Sequence, residues 1–272
     1  MSRSPSSITQ ALLLVAALAC FGGCSNAVQT PSERPPTCQI DVAPGEEGLR
    51  ILFIGNSLTY WFDIPGLLAS LFEISEIPFE RIEMRAQPNY GLPDHWVSSI
   101  TQQILEQGWD LVIMQQGPSA TEGRPYLLEF AARFAAKIRA LGGVPAMLMV
   151  WPAESRLFDF DGVSDSYATA AEQIDGYLFP AGEAWRSAWA RERTLGLYDD
   201  DRFHPSALGS YLAAITIFEQ LAGRPVPDPP ANFCVLGFGR LTLSSALSSL
   251  LRDAATEANG AFARVPVPAP TE

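Results

Sequence analysis

Histidine is nearly missing from this chain: 272 residues contain two, His95 and His204. Basic residues are also few, 18 against 30 acidic ones, giving a formal charge of −12. That balance argues against a nucleic-acid partner, which needs a basic footprint to meet phosphates. After Phe21 no apolar run is long enough to cross a bilayer. There is no internal repeat, and no Gly-x-Ser-x-Gly elbow surrounds Ser57. Residues 152–163 hold Asp159 and Asp161, with Asp165 just beyond, but lack the ligand series and glycine offset of a calcium loop. They read as an irregular, solvated loop or a rim for substrate. What remains is a chain that is 47% apolar, enough to bury a sizeable core and to exclude global disorder.

The chain opens on a targeting pattern. Residues 1–23 carry Arg3 and no acid, and Ala11 to Phe21 forms an apolar stretch too short to span a membrane. Gly22-Gly23 then precedes Cys24. This resembles a bacterial lipoprotein signal, in which Cys24 becomes the lipidated first residue; Cys20, after Leu18-Ala19, is the alternative. The resemblance implies an exported chain anchored to a membrane by its N-terminal lipid, with plain secretion as the other outcome. Residues 24–48 are rich in Ser, Pro, Thr, Glu and Gly and read as a flexible tether. In an exported protein Cys38 and Cys234 either form a disulfide or stay free thiols; spacing does not decide.

From residue 49 apolar runs alternate with helical patterns. The strand candidates are 49–54, 79–86, 110–115, 144–150 and 175–180. The helix candidates are 61–75, 93–106, 124–141, 164–174, 182–193, 206–222 and 242–259. Alternation of this kind predicts one α/β domain over 49–260, with a mostly parallel five-stranded sheet between two helical layers. Residues 261–272 read as a frayed tail.

Two short segments carry chemistry. The first is Gly55-Asn56-Ser57, at the C-terminal end of the first strand, where α/β sheets place their ligands. Alone it is equally a glycine turn with a helix cap. The second is Asp201-Arg202-Phe203-His204-Pro205-Ser206. Pro205 bars a helix from running through His204, and Ser206 caps the helix that follows. Asp201 lies three residues upstream, within reach of the imidazole, with Asp199 and Asp200 as alternatives. A serine hydroxyl needs a base to become a nucleophile at neutral pH. Histidine is that base, and a carboxylate on its other nitrogen fixes the tautomer.

Together the segments resemble the SGNH (GDSL-like) hydrolase superfamily of esterases and lipases. Gly55-Asn56-Ser57-Leu58 is similar to its first block, with Asn56 where many members have Asp, and Asp201-x-x-His204-Pro205 to its last. Asn89-Tyr90-Gly91-Leu92 follows the second strand, as the glycine block should. The likeness covers roughly residues 49–222. It implies a flavodoxin-like three-layer fold and esterase activity without metal or organic cofactor. It implies Ser57 as nucleophile, His204 as base and acid, Asp201 as the orienting carboxylate, and the Ser57 and Gly91 amides as oxyanion donors. The Gly-x-Asn-Asp block is replaced by Met114-Gln115-Gln116-Gly117, as in some carbohydrate esterases. That makes Gln115, or else Gln116, the expected third donor, and acylated carbohydrate the expected substrate; a lipase and a silent binding protein are the alternatives. His95 is expected to pack at a helix start or face the site. Trp151 is expected at the substrate rim or in the core.

Overall fold

Five apolar runs pair side by side. In the computed structural model, which describes residues 48–227, 233–235 and 239–266, they are β1 (Leu49–Gly55), β2 (Phe79–Ala86), β3 (Leu111–Met114), β4 (Val144–Leu148) and β5 (Tyr177–Phe179). Every pairing in this sheet is parallel, and the spatial order is β2-β1-β3-β4-β5. That is the flavodoxin-like order, whose topological switch point lies between β1 and β3. Ile51 to Ile54 are at most 1% exposed, so β1 is covered on both faces and reads as an uninterrupted apolar run. β2 lies at the sheet's edge and is correspondingly mixed in sequence, FERIEMRA.

The helices are α1 (Ser57–Tyr60), α2 (Ile64–Ile74), α3 (Leu92–Val97), α4 (Ser99–Leu105), α5 (Arg124–Ala140), α6 (Phe160–Gln173), α7 (Ala181–Arg191), α8 (Ala207–Ala222) and α9 (Ser245–Phe262). One layer packs α2, α7, α8 and α9 together; the other packs α3, α5 and α6. In α8 every residue from Gly209 to Glu219 is buried, which explains its apolar character on all sides.

The structure departs from the sequence expectations at breaks. The helix expected over 61–75 begins only at Ile64, because Asp63 takes a left-handed φ of 49° and caps α2 through the Gly66 amide; the separate turn α1 precedes it. The one expected over 93–106 divides at Ser98, whose hydroxyl caps α4. Residues 152–163 are not irregular throughout: Glu154–Asp159 forms a 3-10 helix that runs into α6. Phe233–Val235 and Gly239–Leu241 form a small antiparallel hairpin, β6–β7, that periodicity did not signal. α9 continues to Phe262, and the Leu178 amide donates to the Arg264 carbonyl, so residues 261–264 belong to the fold. The targeting segment, the tether, Cys24 and Cys38 lie outside the described residues, as does the side chain of Cys234.

Candidate active site

Gly55, the last residue of β1, sits where a side chain would crowd its neighbours. A Cβ there would stand 2.5 Å from Gln115 Oε1 and 2.7 Å from Thr59 Oγ1. Asn56 follows in an extended conformation and caps α1, its Oδ1 accepting from the Leu58 amide at 3.1 Å. Ser57 is thus the first residue of a helix that starts at the C-terminal edge of the sheet. Both the glycine turn with its cap and a placed hydroxyl are present in the same three residues.

The partner arrives from the loop between α7 and α8. Pro205 and Ser206 end this loop, the Ser206 hydroxyl capping α8 at the Gly209 amide. The Asp199 amide donates to the His204 carbonyl at 2.9 Å, and Arg202 turns the chain with a φ of 59°. His204 Nε2 lies 2.7 Å from Ser57 Oγ. His204 Nδ1 is hydrogen-bonded to Asp201 Oδ2. Asp201 Oδ1 accepts from the amides of Phe203 and His204 at 3.0 and 2.9 Å. Burial pulls the Asp201 carboxyl upward, but these three hydrogen bonds outweigh it and hold the group below the usual carboxylate range. An ionised Asp201 accepts from Nδ1–H, which leaves Nε2 as the acceptor facing the serine hydroxyl. Asp199 and Asp200 do not touch the imidazole; Asp199 instead accepts from the Trp61 indole N–H at 2.6 Å.

The loop is tied to its neighbours from below. Trp151 Nε1 donates to the Phe203 carbonyl at 3.2 Å, and the Tyr198 hydroxyl to the Pro152 carbonyl at 2.6 Å. Trp151 is fully buried, its ring stacked 3.6 Å from that of Trp185, so it belongs to the core rather than a rim.

The expected oxyanion donors lie in the segments that follow β1, β2 and β3. The Ser57 amide opens α1 and has no acceptor among the described residues. The Gly91 amide donates to Asp94 Oδ2 at 2.8 Å at the start of α3. Gln115 is buried; its Oε1 accepts from the Asn56 amide and the Thr59 hydroxyl, each at 2.9 Å, and its Nε2 donates to the Gln116 carbonyl. Gln116 Nε2 donates to Ser119 Oγ and to the Gly123 carbonyl at 3.0 Å each, while its Oε1 accepts from the Leu92 amide at 3.1 Å. In each case a main-chain donor faces Oε1 and a carbonyl faces Nε2, which fixes the orientation of the amide.

No family model matches the chain, and no curated protein does. Solved structures do. A protein from Slackia heliotrinireducens assigned to the SGNH hydrolases is 25% identical, with a TM-score of 0.56 over 64% of this chain and 100% of that one. A DUF4886 family protein from Bacteroides uniformis is 18% identical, with a TM-score of 0.60 over 79% and 96%. The acetyl xylan esterase Axe2 from Geobacillus stearothermophilus, as its W215I variant, is 14% identical, with a TM-score of 0.52 over 67% and 98%.

The chain has the fold of the SGNH hydrolases among these structures. Its third block is the glutamine-bearing one. Gln115 and Gln116 stand where the resemblance asks for a donor; one Gln115 amide hydrogen serves the Gln116 carbonyl, and the Gln116 amide serves Ser119 and the Gly123 carbonyl. They hold the three loops of the switch point together. His95 does likewise: fully buried, its Nε2 lies 2.7 Å from the Gly55 carbonyl and its Nδ1 3.1 Å from Thr101 Oγ1. Burial pushes its pKa down, so it is a neutral imidazole that braces the end of β1.

Two contacts at the site were not anticipated. Asp94 on the Gly91 amide was visible as an acid three residues after a helix-starting glycine. Trp61, whose ring stacks on His204, was visible as the residue one helical turn after Ser57.

Proposed function

We propose that the chain is an exported serine esterase that hydrolyses carboxylic esters through an acyl-enzyme on Ser57. Its preferred substrates are short acyl esters on carbohydrate, O-acetyl groups above all, and Cys24 anchors it to a membrane by its lipid. One geometry carries the enzymatic reading: Ser57 Oγ at 2.7 Å from His204 Nε2, with Asp201 on the far nitrogen. In attack, Ser57 Oγ bonds to the ester carbonyl carbon and its proton passes to Nε2, while the carbonyl electron pair moves onto oxygen. Collapse re-forms the carbonyl and breaks the bond to the alcohol oxygen, which takes the proton from Nε2. Water then repeats both steps on the acyl-enzyme and frees the acid. Asp201 holds the ring and balances the imidazolium. This chemistry calls for no metal or organic cofactor.

The substrate class draws its support from the acetyl xylan esterases among the similar structures and from the glutamine-bearing third block. The test is hydrolysis of an aryl acetate by wild type and Ser57→Ala. A loss of about a thousandfold or more is expected; equal rates would remove the serine mechanism. A series from acetyl to long acyl tests the substrate: optimum turnover at long chains would make it a lipase. Detergent partitioning of wild type against Cys24→Ala tests the anchor.

A second reading, a binding protein without turnover, draws on the Gly91 amide being engaged by Asp94. A fluorophosphonate probe that left wild-type Ser57 unlabelled would decide for it.

A further inference from the structure

We propose that Trp61 is a positioning residue for His204, holding the imidazole in the plane from which it takes the Ser57 proton and favouring its charged form during reaction. The proposal rests on the esterase reading. Trp61 sits at the end of α1, four residues after Ser57, and its amide donates to the Ser57 carbonyl at 2.9 Å. Side chains one turn apart share a helix face. A single turn therefore delivers two groups to one imidazole: the serine hydroxyl to its Nε2 edge and the indole to its face. The ring centroids are 4.0 Å apart and the planes differ by 14°.

The indole is itself anchored. Its N–H donates to Asp199 Oδ2 at 2.6 Å, and the Asp199 amide donates to the carbonyl of His204. Trp61 is thus fixed to the base of the loop that carries the ring it covers. Asp201 and Ser57 hold the imidazole only along its edges, and the Asp201 side chain is 44% exposed. Contacts in the ring plane leave rotation out of that plane weakly opposed. A stacked indole opposes it, with the Phe203 ring tilted against the same imidazole at 5.2 Å.

A second effect has the same direction. When His204 takes the serine proton it becomes a cation over the electron-rich face of the indole. That attraction is present in the transition state and largely missing before it, so it appears in kcat rather than KM. A misplaced catalytic group commonly costs about a hundredfold.

The experiment is aryl acetate kinetics on four full-length proteins: wild type, Ser57→Ala, Trp61→Leu and Trp61→Phe. Leucine fills space without a π face; phenylalanine restores the face but lacks the N–H for Asp199. Expected are a kcat for Trp61→Leu about 10- to 100-fold below wild type with KM within about twofold, and recovery to within about threefold by Trp61→Phe. Unchanged kcat with a raised KM in Trp61→Leu would overturn the proposal and make Trp61 a substrate contact. Equal losses in both variants would overturn it too, leaving bulk or the Asp199 bond as the cause. Should Trp61→Leu not fold, a Trp61→Phe loss as large as that of Ser57→Ala does the same. Wild type no faster than Ser57→Ala would sink the esterase reading and this one with it; wild-type turnover with an indifferent Trp61→Leu would sink this one alone.

Discussion

The side-chain amide of Asn56 donates to the Tyr90 carbonyl at 2.9 Å while its oxygen caps the helix that begins at Ser57. One residue thus joins the helix of Ser57 to the loop that carries Gly91. Aspartate could make the cap but not the donation. In Asn56→Asp two oxygens would face each other across that distance with no proton between them. The expected cost is about 1–3 kcal/mol of stability, together with a lower kcat/KM as the Gly91 loop loosens. Urea denaturation and ester hydrolysis on the same preparation check both. An unchanged midpoint would mean that the Tyr90 contact contributes nothing.

Asp94 is the opposite case, a contact expected to favour the fold and to oppose the proposed reaction. Its carboxylate accepts from the Gly91 amide and would compete with an oxyanion for that donor. For Asp94→Ala the expected outcome is a several-fold rise in kcat with a stability loss of about 1 kcal/mol, typical of a lost helix-start contact. A fall in kcat would show that the carboxylate assists the reaction.

Gln115 is predicted to matter for stability more than for rate. Removing its oxygen leaves the Asn56 amide and the Thr59 hydroxyl without their acceptor. Gln115→Leu should destabilise by about 1–3 kcal/mol, and kcat should fall far less than the hundredfold or more expected of a lost oxyanion donor. Stopped assays at a temperature where the variant is fully folded separate the two effects.

Far from the site, Glu219 on α8 is buried against α9, with Thr256 Oγ1 donating to its Oε2 at 3.0 Å. Burial, partly offset by hydrogen bonds, pushes its pKa up to about 7. The folded state therefore holds this proton more tightly than the unfolded chain does. Its contribution is fully present below pH 4.5 and is lost as pH rises toward 7. The loss is on the order of 3 kcal/mol, at 1.36 kcal/mol per unit. Glu219→Gln should remove this dependence and be more stable than wild type at pH 8. Thermal unfolding from pH 4 to 8 checks it.

Much of this was legible in the sequence. Buried parallel strands are continuous runs of branched residues, and Ile51 to Ile54 announce one. Ser57, Asp201 and His204 stood out because so few residue types perform that chemistry and the chain has only two histidines. What stayed hidden depends on three-dimensional neighbours. That Gln115 also ties loops together, through the Asn56 amide and the Gln116 carbonyl, is visible only once those neighbours are in place. Asp63 and Ser98 broke helices whose apolar periodicity ran on across them, since a cap outweighs periodicity locally. The place of Trp61 one turn after Ser57 was legible, but its contacts were not, because they are made to a loop more than a hundred positions away.

Ser57 and His204 are separated by 147 positions. A ribosome or a refolding chain must therefore complete nearly the whole sheet, and then seat α8, before any hydroxyl can be deprotonated. Turnover becomes a late reporter of folding: in refolding it should lag the recovery of helical signal, and a fragment ending before Asp201 would be inert whatever structure it had gained.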